Sequence, residues 1–118
     1  MTVLVVDDDE AIRESLVAYL EEFGVEDVIQ AVDGEQALRL LGQSPPDVLL
    51  LDLMMPNVDG FQVLQAIRTG KAPKPARIVV LSAHIDRGAA EQIRELGADA
   101  CISKPFSEQE LRAAIGLS

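Results

Sequence analysis

Two short aliphatic runs each end in acid, and nothing else in the chain restricts its fold so strongly. Val3-Leu4-Val5-Val6 leads into Asp7-Asp8-Asp9, and Val48-Leu49-Leu50-Leu51 leads into Asp52. A four-residue aliphatic run bounded by polar or turn residues reads as a strand buried on both faces, the condition of a parallel sheet. If these two strands are neighbours, an acid pair, a third acid and one isolated acid crowd together at their carboxyl ends. Crowded carboxylates repel, and protons or a bound cation must relieve them. The pattern points to a divalent-metal site at the mouth of an α/β sheet.

The rest of the chain alternates in the same way. Ile12, Leu16, Leu20 and Phe23 recur at helical spacing after Asp9, and Gly24 stands where a helix stops. Val28 to Val32 reads as a second strand. Asp33 with Gln36 resembles a capping box for a helix carrying Ala37, Leu38 and Leu41. Ser44-Pro45-Pro46 breaks the chain before the strand that ends at Asp52. Asp59-Gly60 reads as turn chemistry, followed by a helix with Phe61, Val63, Leu64 and Ile67. Arg77 to Leu81 is a fourth strand, ending at Ser82. Ala89, Ala90, Ile93 and Leu96 mark a helix, and Ala100-Cys101-Ile102 is a short fifth strand ending in Ser103-Lys104-Pro105. Ser107 and Glu110 form a capping box that opens the last helix.

Five strands alternating with five helices require parallel pairing and right-handed crossovers. The expected fold is a doubly wound, flavodoxin-like α/β sheet of order 2-1-3-4-5, in one domain over residues 1–118. That order sets the first and third strands side by side. Asp7, Asp8 and Asp52 then meet at the switch point, with Ser82 and Lys104 on the same rim.

Composition narrows the function. Twenty acidic against ten basic side chains give a formal charge of −10, which argues against nucleic-acid binding by this domain. The single cysteine, Cys101, rules out an internal disulfide and favours a reducing, cytoplasmic setting. No apolar stretch reaches the ~18 residues of a membrane span, and the start of the chain has no basic leader. The phosphate-cradling patterns GxxxxGK[ST] and GxGxxG are missing.

Hard carboxylate oxygens suit Mg²⁺. Asp52 can act as a nucleophile toward phosphorus, giving an acyl phosphate. The Lys104 ammonium can neutralise charge on the transferred group, and the Ser82 hydroxyl can donate to it.

VLVVDDD near the start, LLLDLMMPNVDGF in the middle, VVLSA at the fourth strand and SKPF at the fifth together resemble the receiver domain of two-component response regulators. The resemblance spans essentially the whole chain. It implies that Asp52 accepts phosphate from a phosphohistidine on a sensor histidine kinase or histidine phosphotransfer domain. It implies that Asp8, Asp52 and the main-chain oxygen of Met54 contact Mg²⁺ directly, with Asp7 acting through a bound water. Ser82 and Lys104 would grip the phosphoryl group, and Lys104-Pro105 would be a cis peptide. Met54 and His84 would flank the path of the hydrolytic water and set the lifetime of the phosphate. The domain would assist its own phosphorylation and dephosphorylation without being a turnover enzyme. The helix 4, strand 5 and helix 5 face would switch, meeting an output domain or partner of unknown kind or forming a homodimer. The chain has no Lys or Arg after Arg112, which disfavours the charged-pair dimer of the winged-helix subfamily. The resemblance also implies an aromatic residue on the fifth strand, three residues before the lysine, and Cys101 stands there instead.

Plainer readings apply to several positions. Asp9 is expected as a helix cap, Cys101 as a small core residue, His84 as a surface loop residue, and Met54-Met55 as one rim and one core side chain. A competing function is an aspartate-nucleophile phosphohydrolase of the haloacid dehalogenase type. That class looks for a second acid two residues after the nucleophile, where Met54 stands. A receiver used purely for interaction is opposed by the complete set of five polar residues.

Overall fold

A computed structural model describes residues 1–83 and 86–117. His84, named above for its place near the hydrolytic water, lies outside the described residues. Ten elements alternate along the chain: β1 (Thr2–Val6), α1 (Glu10–Glu22), β2 (Asp27–Ala31), α2 (Gly34–Gln43), β3 (Val48–Asp52), α3 (Gly60–Arg68), β4 (Arg77–Ser82), α4 (Arg87–Glu95), β5 (Ala100–Ser103) and α5 (Glu108–Ala114). The strands form one sheet in the order β2-β1-β3-β4-β5, every pair parallel. This is the expected flavodoxin-like topology.

Period-two alternation divides the strand residues between two helical layers. Leu4, Val6, Leu49, Leu51, Ile78 and Val80 pack against residues of α2, α3 and α4 such as Leu41, Leu64 and Ile93. Val3, Val5, Val48, Leu50, Val79 and Leu81 pack against Leu16 and Leu20 of α1 and Leu111 of α5. All of β3 is buried, because helices cover both of its faces. Each such aliphatic side chain contributes about 1.5–3 kcal/mol relative to exposure.

Helix starts are fixed by short polar side chains. Asp9 accepts from the N–H groups of Ala11 and Ile12, as expected of a cap. Ser107 and Glu110 form the expected capping box. The second one predicted is only half made: Asp33 accepts from Gln36 N–H, but the Gln36 side chain accepts from Val32 N–H. Asp59-Gly60, read as a turn, is instead a full capping box with Gln62 at the start of α3. β2 begins and ends one residue earlier than expected, since its ladder with β1 closes at Val6 opposite Ala31. Val32, beyond it at the sheet edge, is exposed.

Candidate functional site

β1 lies beside β3, with Val6 opposite Leu51. One step further along each strand come Asp7 and Asp52. Both are in phase with the strand residues that face α1 and α5, and so is Lys104, two residues beyond Ile102. Their side chains meet. Lys104 Nζ donates to Asp7 Oδ2 at 2.8 Å and to Asp52 Oδ1 at 3.2 Å. Asp7 is fully buried and Asp52 is 4% exposed. Asp8 is exposed, yet it offers an oxygen to the same place. Carboxylate oxygens of Asp7, Asp8 and Asp52 all fall within 4.8 Å of one another. An all-carboxylate set of this spacing can hold a hard divalent cation.

The charges are unevenly balanced. Burial pushes the Asp52 carboxyl above the usual carboxylate range, and the charge of Asp7 pushes it further. The Lys104 charge and hydrogen bond, with a hydrogen bond from the Met54 main chain, oppose this without cancelling it. Burial acts to lower Lys104, but its hydrogen bond to Asp7 and the two carboxylate charges outweigh it and hold the ammonium above its ordinary range. One cation shared by two buried carboxylates leaves the cluster with surplus negative charge.

Ser82 is buried at the end of β4, and its carbonyl accepts from Lys104 N–H at 2.8 Å. It is in phase with Ile78 and Val80, so it approaches the crest of the sheet from the face opposite Lys104. Cys101 pairs in register with Val80 and packs against that same layer, half-buried rather than fully enclosed. Burial raises its thiol pKa, with Arg94 opposing, so the thiol stays protonated at neutral pH. Met54 is 72% exposed at the rim while Met55 is buried. Lys104-Pro105 is cis.

The loop from β3 to α3 is set by close packing. Gly60 N–H donates to Leu53 O at 3.0 Å, and a Cβ on Gly60 would come within 2.5 Å of Asp52 O and 2.7 Å of Leu53 Cα. Only glycine fits there. Two contributors escaped the sequence reading. Gly60 was taken as part of a turn, and no sequence signal separates that from a close approach. Arg13 had a signal: a cation near the amino end of a helix opposes the helix dipole and so needs another partner. Its guanidinium donates to Asp7 O at 2.7 Å, tying α1 to the acid-bearing turn.

A shallow groove of about 160 Å³ opens beside Lys104, lined by Ile12, Ser15, Tyr19, Pro105 and Phe106. A larger surface hollow over Val32, Asp33 and Arg39 contains none of the residues of the acid cluster and lies on the outside of α2.

Residues 3–116 match a family model described as the response regulator receiver domain. The chain is 35% identical over 113 residues to the probable chemotaxis protein CheY of Rhizobium etli, covering 96% of this chain and 88% of that protein. It is 41% identical over 113 residues to the alkaline phosphatase synthesis transcriptional regulatory protein PhoP of Bacillus subtilis, covering 96% of this chain but only 46% of PhoP. Among solved structures, the Francisella response regulator 1452 receiver domain superposes with a TM-score of 0.88 at 33% identity, over 97% of this chain and 92% of that one.

Proposed function

The chain belongs to the family of response regulator receiver domains of two-component systems, and from that premise we propose how its own residues carry the phosphoryl chemistry. Asp52 is the phosphoacceptor. One carboxylate oxygen attacks the phosphorus of a phosphohistidine, the P–N bond breaks, and the imidazole nitrogen leaves with the electron pair as the acyl phosphate forms. Lys104 already touches Asp52 and turns to the phosphoryl oxygens as their charge builds. The Ser82 hydroxyl donates to the same group. Asp7, Asp8, Asp52 and the main-chain oxygen of Met54 would hold Mg²⁺, which when bound neutralises the carboxylates and the phosphoryl oxygens. The surplus negative charge of the cluster supports that ligand set.

Receiver domains partner with sensor histidine kinases. The groove between α1 and the β5–α5 loop supports docking of the donor there, whether a kinase or a histidine phosphotransfer domain. The new phosphate adds up to about two negative charges. Ser82 and the loop after β4 respond, changing the α4, β5 and α5 face that an output partner or a second copy reads. Cys101 is too small for the aromatic swing of the family, so the change is carried by α4 and its flanking loops. Exposed Met54 hinders the hydrolytic water and lengthens the phosphorylated state, and the family pattern assigns His84 to the same water path. The domain assists its own phosphorylation and dephosphorylation and does not turn over a substrate; Met54 stands where a hydrolase of the haloacid dehalogenase type would need an acid. No helix among the described residues is long and apolar enough to cross a membrane, and a cytoplasmic setting fits the free thiol.

The observation that carries this reading is a buried Asp52 sharing one ammonium with Asp7 at the end of β3. Intact-mass measurement after incubation with acetyl phosphate and Mg²⁺ tests it. One phosphoryl adduct per chain is expected, dependent on Mg²⁺ and absent in Asp52→Asn. An adduct that persists in that variant would overturn it.

A further inference from the structure

At the opposite end of the sheet, where Asp27, Asp47 and Asp99 stand at the starts of other strands, one segment carries only positive charge. No Asp or Glu occurs between Asp59 and Asp86, and four of the ten basic residues, Arg68, Lys71, Lys74 and Arg77, fall within that span. Lys71 and Lys74 lie in the loop joining α3 to β4, and Arg68 and Arg77 flank it. In the parallel register Val48 pairs with Arg77 and Asp52 with Leu81, so this loop lies at the far end of β3 from the acid cluster. Arg77 is committed to the fold, since its Nε donates to Ala114 O. Arg68, Lys71 and Lys74 are exposed and enter no ion pair among the described residues.

Beside these cations runs a groove of about 200 Å³. Ile67, Ile78, Leu96 and Gly97 line it, with Arg68 and Lys74 at its sides. The loop is held in place: Lys71 N–H and Ala72 N–H both donate to Ala66 O, and Gly70 N–H donates to Ile67 O. Pro73 and Pro75 restrict it further. Asp99 stands at the same end, but its carboxylate accepts Ile78 N–H at 2.7 Å.

We propose that this groove docks a short acidic peptide segment of a partner protein. One bulky aliphatic side chain of the segment covers Ile67, Ile78 and Leu96, and flanking carboxylates pair with Arg68, Lys71 and Lys74. Charge complementarity selects the acid, and the apolar floor selects the aliphatic anchor. A nucleic acid fits poorly, because three cations beside an apolar floor do not make a phosphate-tracking stripe and the chain's net charge is −10. A short segment feels chiefly the nearby cations, since charges beyond ~8–10 Å are screened at physiological salt. The main chain of the loop is already held by hydrogen bonds, so ordering on binding is confined to the cationic side chains and the peptide. This surface is independent of Asp52 chemistry and goes beyond the phosphoacceptor reading.

The test uses the whole chain and a fluorescent ten-residue peptide with one leucine between runs of glutamate. Saturable binding is expected, weakening several-fold as salt is raised, with amide NMR shifts confined to residues 67–78 and the turn at Leu96–Gly97. Arg68→Glu, Lys71→Glu and Lys74→Glu together should weaken binding by about tenfold or more. Acetyl phosphate labelling of Asp52 in that variant should be unchanged, which establishes that it is folded. A leucine-to-serine peptide should also bind more weakly. Failure to saturate at millimolar peptide, shifts elsewhere on the surface, or equal binding by the charge-reversed variant overturns the proposal. So does tighter binding of an oligonucleotide or of polyphosphate than of the peptide.

Discussion

Replacing Lys104 by Met keeps most of the side chain's bulk and removes its charge from between two buried carboxylates. At 2.8 and 3.2 Å the gross attractions are each about 5–6 kcal/mol at an effective dielectric of ~20. They are offset by the cost of taking the ammonium out of water. Removing one partner of a buried pair costs about 3–5 kcal/mol, because the remaining charge is left uncompensated. Protonation sets a ceiling. A carboxyl with an ordinary value of 3.8 can take up a proton at pH 7 for about 1.36 × 3.2, or ~4.4 kcal/mol. The metal-free variant should therefore lose about 3–4 kcal/mol at pH 7. At pH 5 the ceiling falls to about 1.36 × 1.2, or ~1.6 kcal/mol, and the gap should close accordingly. The sign follows from linkage: without Lys104 the Asp52 carboxyl rises further above 3.8, so its stabilising contribution is whole below that value and is lost as pH rises through the raised one. For 118 residues, ~2.1 cal/mol/K per residue converts 1 kcal/mol into about 4 °C, so the melting temperature should fall by about 12–16 °C at pH 7. Saturating Mg²⁺ should recover more stability in the variant than in the parent, since cation and ammonium neutralise the same oxygens. Thermal and urea unfolding at pH 5 and 7, with and without Mg²⁺, measure all of this. A loss below about 1 kcal/mol, or one that does not change between the two pH values, would refute the electrostatic account.

Asp52→Asn should stabilise the metal-free domain at pH 7 by ~0.5–2 kcal/mol, the usual range for one stabilising change. Burial and the Asp7 charge make the ionised Asp52 unfavourable, so this gain should vanish as the pH falls below 3.8 and reverse when Mg²⁺ is saturating. A gain independent of pH would count against it. Gly60→Ala forces a methyl against the Asp52 main chain and should cost at least ~1–3 kcal/mol in urea unfolding while slowing acetyl phosphate labelling. An unperturbed labelling rate would mean that the contact does not position the acceptor. Met54→Asn puts a polar amide at the exposed rim and should shorten the phosphate lifetime several-fold, timed by loss of the adduct. An unchanged or longer lifetime would remove Met54 from the water path.

Much of the site could be read from the chain because strand periodicity is rigid. An acid at the end of a fully apolar strand keeps that strand's phase, so Asp7, Asp52 and Lys104 were bound to share a face once the strand order was known. The order itself followed from repeated β-α units. Local chemistry was less legible where one residue type serves two purposes. Asp59-Gly60 has the composition of a turn, yet Asp59 caps a helix and Gly60 meets the neighbouring backbone. Gln36 has the spacing of a capping box, yet its side chain settles one residue upstream, on Val32. Arg13 signalled the need for a partner but not which one, because that partner is a main-chain oxygen and carbonyls leave no mark in a sequence. The basic loop is visible in the chain as a gap between acids, but only folding sets Leu96 beside Ile67 and Ile78.

The missing side chain at Gly60 has a mechanical consequence. With α3 seated directly on the main chain of Asp52 and Leu53, the acceptor has an anvil behind it and cannot recoil when struck. A group attached to Asp52 would then press sideways, toward the end of β4 and the lysine-bearing turn.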